Sequence, residues 1–189
     1  MTSALHARPN ANQNKAIEAA YRMFLRGERV DMQGVAAALG VDRTTLFRWV
    51  GSRDALLTAV ITRLGIRTLD RARAQCTVTG PRRVAEIMGA FARSVIEAPF
   101  FRAYLEREGP RALRLLTTNA GGFQMNLTHA VEELLEADYD RSLLAEPIAV
   151  HDLAFLMVRI VESFVYTDLI TGEEPNAANA RAALLILLS

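Results

Sequence analysis

Apolar residues recur three and four positions apart along almost the whole chain, and this spacing limits the possible fold more than any other feature. Such spacing places side chains on one face of an α-helix, whereas a β-strand needs an alternation of every second residue, which the sequence does not sustain. The chain has 189 residues, 51% of them hydrophobic, so it can bury a substantial core. The sequence therefore predicts an all-α protein.

Capping residues and glycines divide the first part of the chain into four predicted helices. These helices cover about 13–26, 32–39, 43–49 and 53–75. Asp31, Asp42 and Ser52 each stand where an N-cap would accept hydrogen bonds from the free N–H groups of a helix. Gly40 permits a sharp turn between the second and third helices. Residues 1–12 are polar and contain a proline, which predicts a mobile tail.

Prolines divide the rest of the chain into longer amphipathic helices. We expect Pro81 to occupy a first helical position, where its missing N–H costs nothing. The predicted helices cover about 81–97, 99–107, 110–118, 119–137, 147–171 and 176–188.

The net charge of +1 conceals an asymmetry along the chain. Residues 1–79 contain 12 basic and 6 acidic side chains, whereas residues 80–189 contain 10 basic and 15 acidic ones. A basic first part indicates contact with a polyanion. No apolar run approaches the roughly 18 residues of a membrane span, and the N-terminus lacks the apolar segment of a signal peptide. We therefore expect a cytoplasmic protein without membrane contact.

The cysteine and histidine content argues against disulfide and metal chemistry. Cys76 is the single cysteine, and His6, His129 and His151 are scattered along the chain. This pattern has no metal-ligand spacing, so we expect no metal site and no cofactor.

The stretch LGVDRTTLFRWVGSRDALL, from Leu39 to Leu57, combines helical spacing with arginines and aromatic residues. The apolar residues of this region are spaced to hold two short helices at a fixed angle: Val35, Leu39, Val41, Leu46 and Val50. Two short helices joined by a glycine-containing turn are the unit that sets its second helix into the major groove of DNA. A plain helical hairpin with solvated arginines is the alternative.

Seven side chains around this second helix are predicted to contact double-stranded operator DNA: Arg43, Thr44, Thr45, Phe47, Arg48, Trp49 and Arg53. Arg43 lies near the helix start and can offer two parallel N–H groups to guanine, while either threonine can contact a base edge. Arg48, Trp49 and Arg53 come later, where the phosphate backbone would pass.

The run VAAALGVDRTTLFRWVGSRDALL resembles the DNA-binding segment of TetR-family repressors, whose pattern is roughly I-A-x-x-A-G-V-S-x-x-T-L-Y-x-H-F-x-S-K-x-x-L. The matching residues are Val35, Ala36, Gly40, Val41, Thr45, Leu46, Ser52 and Leu56. Within that family, DRTTLFRWVGSRD and PFFRAYLERE are most similar to the QsdR-type branch. Phe47 replaces a tyrosine whose hydroxyl reaches phosphate in the family, so that hydrogen bond is absent here. Arg53 replaces a lysine and keeps its charge.

The resemblance implies a homodimeric transcriptional regulator built from two units. Residues 13–57, the N-terminal unit, would bind DNA, and residues 58–189, the C-terminal unit, would dimerise and bind a small-molecule effector. The last two predicted helices are too apolar for helices that cover a single core, so we expect one of them to pack against a second subunit. The predicted dimer interface comprises Phe164, Val165, Leu184, Leu185 and Leu188.

One stripe of the predicted 147–171 helix mixes polar and aromatic residues and lies opposite its wide apolar face. Such a stripe can line a cavity, and Arg159 and Glu162 can equally form a structural ion pair at a spacing of three. The predicted ligand-binding residues are Phe91, Tyr104, Phe123, His129, Phe155, Arg159, Glu162 and Tyr166. Phe100, Phe101 and Met125 are candidates for further walls. The QsdR-type resemblance implies a lactone-like or acyl inducer.

Other classes of protein fit the sequence less well. An enzyme would need a nucleophile with a base, a metal cluster or a phosphate-binding loop, and Gly121-Gly122 lacks the lysine and hydroxyl residue of such a loop. A recombinase fragment would carry a catalytic domain of mixed α/β character. We expect a ligand-responsive DNA-binding regulator that acts as a repressor, and not an enzyme. An architectural DNA-binding dimer without a ligand is the alternative, and a cavity would distinguish the two.

Overall fold

A computed structural model describes residues 10–118, 122–140, 142, 144 and 147–189. These residues form helices and no strand, which confirms the all-α prediction. The helices are α1 (Ala11–Leu25), α2 (Met32–Leu39), α3 (Arg43–Val50), α4 (Arg53–Gln75), α5 (Arg83–Ile96), α6 (Pro99–Thr117), α7 (Phe123–Asp138), α8 (Val150–Val165), α9 (Thr167–Ile170) and α10 (Ala177–Leu187).

The first four helices follow the predicted boundaries closely, and α2 and α4 match them residue for residue. The side chains of Asp31, Asp42 and Ser52 each accept a hydrogen bond from a backbone N–H two or three residues on, at 2.8–3.0 Å. The three predicted N-caps are thereby confirmed. α1 begins two residues earlier than predicted, because Asn10 and Gln13 form a reciprocal capping box.

The largest difference from the predicted helices is in α6. Two helices were expected, over about 99–107 and 110–118, but one helix runs from Pro99 to Thr117 with Pro110 inside it. A proline removes one backbone hydrogen bond and costs about 3 kcal/mol within a helix. Leu105, Ala112 and Leu116 are fully buried on either side of the proline, and their packing maintains a continuous helix.

Smaller differences occur at other helix ends. α5 begins at Arg83, because Pro81 lies in a turn rather than at the first helical position. The predicted 147–171 helix begins at Val150 and is divided at Tyr166 into α8 and α9. The expected helix start at 119 and the tail prediction for residues 1–9 lie outside the described residues.

Helix α4 joins the two ends of the core. It packs against α1, and also against α5 and α7, and its buried side chains extend from Leu56 to Ala72. α5, α7, α8 and α10 pack together in the C-terminal part. α5 and α10 approach closely at Gly89, where a Cβ atom would lie 2.8 Å from the Cβ of Arg181. None of the helices described here is both long and apolar enough to cross a bilayer.

Candidate DNA-binding surface and ligand cavity

The turn between α2 and α3 depends on one glycine. Gly40 adopts a left-handed conformation with φ 66° and ψ 31°, and its N–H donates to the carbonyl groups of Ala36 and Ala37 at the end of α2. Val35 and Leu46 are fully buried between the helices. Leu39, Val41 and Val50 are half-buried against the same core. The structure therefore confirms the predicted helix pair and the residues that hold it together.

One side of α3 presents four exposed residues that line a single shallow groove, and we call this set the α3 face: Arg43, Thr44, Phe47 and Arg48. Their spacing of one, four and five residues places them on the same helix surface. Phe47 is 49% exposed, although it is a large aromatic side chain. Cationic, hydroxyl and aromatic groups next to one another on an exposed helix suit contact with phosphates and base edges.

Thr45 and Trp49, two other predicted DNA contacts, lie partly inside the fold. The Thr45 hydroxyl donates to the Asp42 carboxylate at 2.7 Å and accepts from the Arg48 guanidinium at 3.1 Å. The hydrogen bond from the Thr45 hydroxyl, followed by that from the Thr45 backbone N–H, lowers the pKa of Asp42. Trp49 is half-buried and packs against the core. Of the two predicted threonines, Thr44 is the one that the structure leaves on the exposed α3 face.

The Arg53 side chain, another predicted DNA contact, is held by partners within the chain. Its guanidinium donates to both carboxylate oxygens of Glu108, one of them at 2.7 Å, and its Nε donates to the carbonyl of Val30 at 2.6 Å. The side chains of Arg53 and Glu108 are only 14% and 10% exposed. Hydrogen bonding to Glu108 raises the pKa of Arg53. Arg53 therefore links α4 to α6 in this structure.

One further hydrogen bond and one further ion pair connect α6 to the N-terminal part of the chain. The Arg107 guanidinium donates to the carbonyl of Gly27 at 2.7 Å, and that of Arg111 donates to the carboxylate of Asp54 at 2.6 Å. Together with Arg53 and Glu108, these contacts connect α6 to the α1–α2 loop and to the start of α4. We call these contacts the α6 junction.

A largely apolar cavity of about 70 Å³ lies among α4, α5, α6, α7 and α8. Four of the eight predicted ligand-binding residues line it: Phe91, Phe123, Glu162 and Tyr166. The other lining residues are Ile61, Leu64, Gly65, Thr68, Ser94, Val95, Ala98, Phe100, Phe101, Leu127, Val161 and Val165. The cavity is the feature expected of a ligand-binding regulator and not of a purely architectural DNA-binding protein.

The other four predicted ligand-binding residues are not part of the cavity wall. The imidazole of His129 is 61% exposed and pairs with Glu132, whose hydrogen bond raises the pKa of that histidine. Phe155 is 46% exposed, and the Arg159 side chain is 43% exposed. Tyr104 is buried beside Phe101 with ring centroids 6.2 Å apart, but it is not among the residues lining the cavity. The predicted α8 stripe is wider than the cavity. Of its predicted ligand-binding residues, Glu162 and Tyr166 line the cavity, whereas Phe155 and Arg159 do not.

No individual residue of α4 was predicted to line the cavity, although Gly65 gave a usable signal. A glycine inside a helix costs about 1 kcal/mol relative to alanine, so its presence suggests a packing reason. A Cβ atom at Gly65 would lie 3.6 Å from Cε2 of Phe123 across the cavity wall. The glycine therefore keeps space open where α4 faces α7.

Glu162 is the buried carboxylate of the cavity wall, with 5% of its surface exposed. It accepts hydrogen bonds from the Gln124 side-chain amide and, at 2.6 Å, from the Arg159 guanidinium. Burial raises the pKa of Glu162 to about 7, with the positive charge of Arg159 opposing that shift. Glu162 thus takes part both in the predicted ion pair and in the cavity wall, so the two alternatives left open by the sequence coexist.

The predicted dimer residues are largely buried within their own chain. Val165, Leu184 and Leu188 are at most 4% exposed, and Phe164 and Leu185 are half-buried. The large apolar side chains that α8 and α10 expose are instead Phe155, Leu156 and Ile186, which are 46%, 40% and 76% exposed. Both helices are apolar on more than one face, and the sequence alone did not show which face packs inward.

The comparisons with known proteins agree with this arrangement. The sequence profile of the tetracyclin repressor-like C-terminal domain matches residues 79–189. The structure of the TetR-family transcriptional repressor QsdR from R. erythropolis is 30% identical, with a TM-score of 0.86 over 96% of each chain. No relative was found among curated protein sequences.

Two more distant structures share the fold. The TetR-family repressor AlkX from Dietzia sp. is 22% identical, with a TM-score of 0.65 over 97% of this chain and 100% of AlkX. The fatty acid degradation regulator FadR from Bacillus halodurans is 11% identical, with a TM-score of 0.58 over 97% of each chain. The fold and its helix-turn-helix define a DNA-binding transcriptional regulator. The chain belongs to the TetR family, within which it is QsdR-like, and this family consists of regulators and not of enzymes.

Proposed function

We propose that the chain is a homodimeric repressor that binds operator DNA through the α3 face and releases it when a small effector enters the cavity. The effector is a largely apolar molecule of the lactone-like or acyl class. The observation that carries this proposal is the course of α4, which begins beside α3 and forms one wall of the cavity. In this proposal residues 13–57 bind DNA and residues 58–189 bind the effector, and the protein acts in the cytoplasm.

The α3 face supplies the chemistry for DNA binding. Arg43 is exposed near the start of α3, where its guanidinium can donate two hydrogen bonds to a guanine. Arg48 and Phe47 lie one turn later and contact the sugar-phosphate backbone in this proposal. Trp49 and Thr45 support the helix from within, and Arg53 acts at the α6 junction instead of on phosphate.

Dimerisation supplies the second α3 helix that a regulator of this class needs. Two such helices must be held about 34–36 Å apart to enter successive major grooves. We assign the interface to the exposed apolar side of α8 and α10, around Phe155, Leu156 and Ile186, with the half-buried Phe164 and Leu185 at its edge. Burial of these side chains in a two-fold helix seam removes apolar surface from water.

Two helices extend from the cavity to the DNA-binding part of the molecule. In α4, Arg53 precedes Gly65 by twelve residues, which corresponds to about 18 Å along the helix axis. In α6, Phe101 lies on the cavity and Glu108 lies at the junction two turns later. A ligand that displaces Phe101 or the α4 wall therefore changes the position of the α6 junction, and with it the spacing of the two α3 helices. The ligand must bind this changed dimer more tightly for release to follow.

The experiment begins with selection of operator sequences from random double-stranded DNA by the purified protein. We expect enrichment of a two-fold symmetric site, and a lactone or short acyl compound should lower affinity for that site by about 5–150-fold, the usual range for coupled sites. Enrichment without symmetry, or no enrichment, would contradict the proposal. DNA binding that no such compound changes would favour the architectural alternative.

The α6 junction is tested with a matched pair of variants. Glu108→Gln keeps the shape of the side chain but removes the charge that holds Arg53, so we expect effector-induced release to weaken at least fivefold. Glu106→Gln makes the same change two residues earlier at an exposed position of α6. Equal release by both variants, in gel shifts across an effector series, would show that the junction does not transmit the effect.

A further inference from the structure

The polar part of the cavity consists of a carboxylate and a phenol on adjacent turns. Glu162 and Tyr166 are 5% and 4% exposed, and both line the cavity. Burial raises the pKa of the Tyr166 phenol well above its ordinary value, so the hydroxyl keeps its proton and remains a hydrogen-bond donor. The rest of the wall is mainly aromatic and aliphatic, with the hydroxyl groups of Thr68 and Ser94 as the remaining polar side chains.

The volume of the cavity shows that it can take a compact occupant. At about 70 Å³ it has room for more than a single water-sized group. A short chain or a single small ring therefore fits in it.

The charges around the cavity are the next constraint. Among the described residues that line it, Glu162 is charged and none is a lysine, arginine or histidine. The guanidinium of Arg159 approaches Glu162 at 2.6 Å from the exposed side of α8 and supplies its countercharge. The Gln124 amide nitrogen is also occupied, because it donates to Glu162 and to the carbonyl of Leu116. A carboxylate ligand would meet no cation in the cavity, and it would lie beside a carboxylate.

We propose that the cavity selects a compact neutral molecule bearing a hydroxyl or carbonyl oxygen, and that Glu162 excludes the carboxylate of the same skeleton. The inference rests on the proposed ligand-responsive function and specifies the chemistry of its effector. The Tyr166 hydroxyl donates to the ligand oxygen, and a ligand hydroxyl donates to Glu162. Each Glu162 oxygen accepts one hydrogen bond in the structure and can accept a second.

The exclusion of anions follows from the cost of a buried charge. A carboxylate transferred from water into an apolar site loses its hydration and needs a paired cation or several hydrogen-bond donors. The cavity offers the hydroxyls of Tyr166 and Thr68, whereas the Ser94 hydroxyl already donates to the carbonyl of Ala90 at 3.0 Å. The negative charge of Glu162 also opposes binding. An ammonium ligand is not favoured either, because the Arg159 guanidinium already forms an ion pair with Glu162 at 2.6 Å.

The test uses three probes of similar size and different charge: 1-pentanol, δ-valerolactone and pentanoate. Binding to the full-length protein is measured by isothermal titration calorimetry at pH 8. We expect both neutral probes to bind at least tenfold more tightly than pentanoate. Glu162→Gln should reduce this difference to less than threefold, because the amide has the same shape without the charge. Glu133→Gln, which makes the same change on the exposed surface of α7, should keep the tenfold difference.

A pH series on the unmodified protein gives a second measurement that needs no variant. Pentanoate is ionised at both pH 6 and pH 8, whereas Glu162 takes up a proton below its pKa of about 7. The ratio between the affinities of the two neutral probes and that of pentanoate should therefore decrease at pH 6. Arg159 is the charged neighbour of Glu162 on α8. The Tyr166 phenol at the end of α8 keeps its proton throughout this range, because burial raises its pKa well above the ordinary value. The described lining residues of α4, α5, α6 and α7 add no charge.

Three results would overturn the inference: pentanoate binding as tightly as the neutral probes, a preference unchanged in Glu162→Gln, or no binding of any probe.

Tyr166→Phe should weaken the binding of both neutral probes by about three- to tenfold through loss of one hydrogen bond. Operator binding without a probe is measured separately and tests the proposed function. Failure of the inference and failure of the function are therefore distinguishable.

Discussion

The N-terminal part of the molecule turns its polar groups outward to solvent, whereas the C-terminal part turns a polar group inward to a cavity. In the N-terminal part, a small apolar core around Val35 and Leu46 holds arginines outward on α3. In the C-terminal part, the helices line a cavity and turn the carboxylate of Glu162 towards it. An outward cationic surface suits a polyanion that arrives from solvent, and an enclosed polar group suits a small molecule that gives up its hydration.

The difference also affects how each part responds to substitution. A side chain on the α3 face can change without a packing penalty, so its removal acts on DNA binding. A side chain on the cavity wall belongs to the core, so its removal acts on stability and ligand choice together. The predictions below test this contrast, beginning with the largest expected effect.

The largest effect is expected from a charge on the exposed apolar side of α8. Leu156→Asp should abolish dimerisation and operator binding, because a monomer presents only one α3 helix. Val78→Asp is the control, since Val78 is 39% exposed against 40% for Leu156 but lies between α4 and α5. Analytical ultracentrifugation and gel shifts measure both variants. A dimeric Leu156→Asp protein would place the interface elsewhere.

The α3 face should show a smaller loss that depends on position. Arg43→Ala should cost about 1–3 kcal/mol in operator binding and relax the preference at one base pair per half-site. Arg48→Ala should weaken all sequences alike and reduce the salt slope by about 1. Arg82→Ala removes an exposed arginine between α4 and α5 and serves as the control. If Arg43→Ala and Arg82→Ala bound equally well in titrations across salt concentrations, the outward face would not be the DNA surface.

The enclosed carboxylate should give the protein a pH-dependent stability. The pKa of Glu162 rises from about 4.5 to about 7 on folding, so the folded protein holds a proton between these values that the unfolded chain has released. The free energy of unfolding therefore falls as pH rises through this window. Glu162→Gln should remove about 1–3 kcal/mol of this decrease, as measured by urea unfolding at pH 5 and pH 8. An identical pH dependence in the variant would show that Glu162 is hydrated.

The smallest effect is expected at Gly65. Gly65→Ala should stabilise the protein by about 0.5–1 kcal/mol, since alanine favours a helix and the space at this position accepts a methyl group. The same methyl group projects towards Phe123 and reduces the cavity, so binding of 1-pentanol should weaken. Thermal unfolding and calorimetry measure the two changes. A variant that is stabilised but binds the alcohol unchanged would show that α4 does not limit the cavity.

Local signals account for what the sequence predicted well. Both ends of α2 and the start of α4 follow from caps and a glycine next to the helix, so no tertiary information was needed there. The exposed residues of α3 follow from the periodicity of a short helix on a small core. The family resemblance correctly indicated the fold and the class of protein.

Contacts between distant parts of the chain account for what the sequence did not predict. The partner of Arg53 is Glu108, 55 residues away, and no local pattern distinguishes this arginine from one that faces phosphate. The continuity of α6 through Pro110 depends on packing on both sides of that proline. The inward direction of Glu162, and the outward direction of Phe155 on the same stripe, depend on how α8 is rotated against its neighbours.

The shared position of α4 restricts how such regulators can recombine in evolution. An exchange at residue 57 would divide a helix whose buried side chains continue from Leu56 to Ala72, so the new junction would fall inside a core. An exchange after Gln75 keeps the helix intact but transfers Gly65 and the α4 wall of the cavity with the DNA-binding surface. Under the proposed function, operator preference and part of the effector preference are therefore inherited as one segment, and a recombinant with a new operator also acquires an altered cavity.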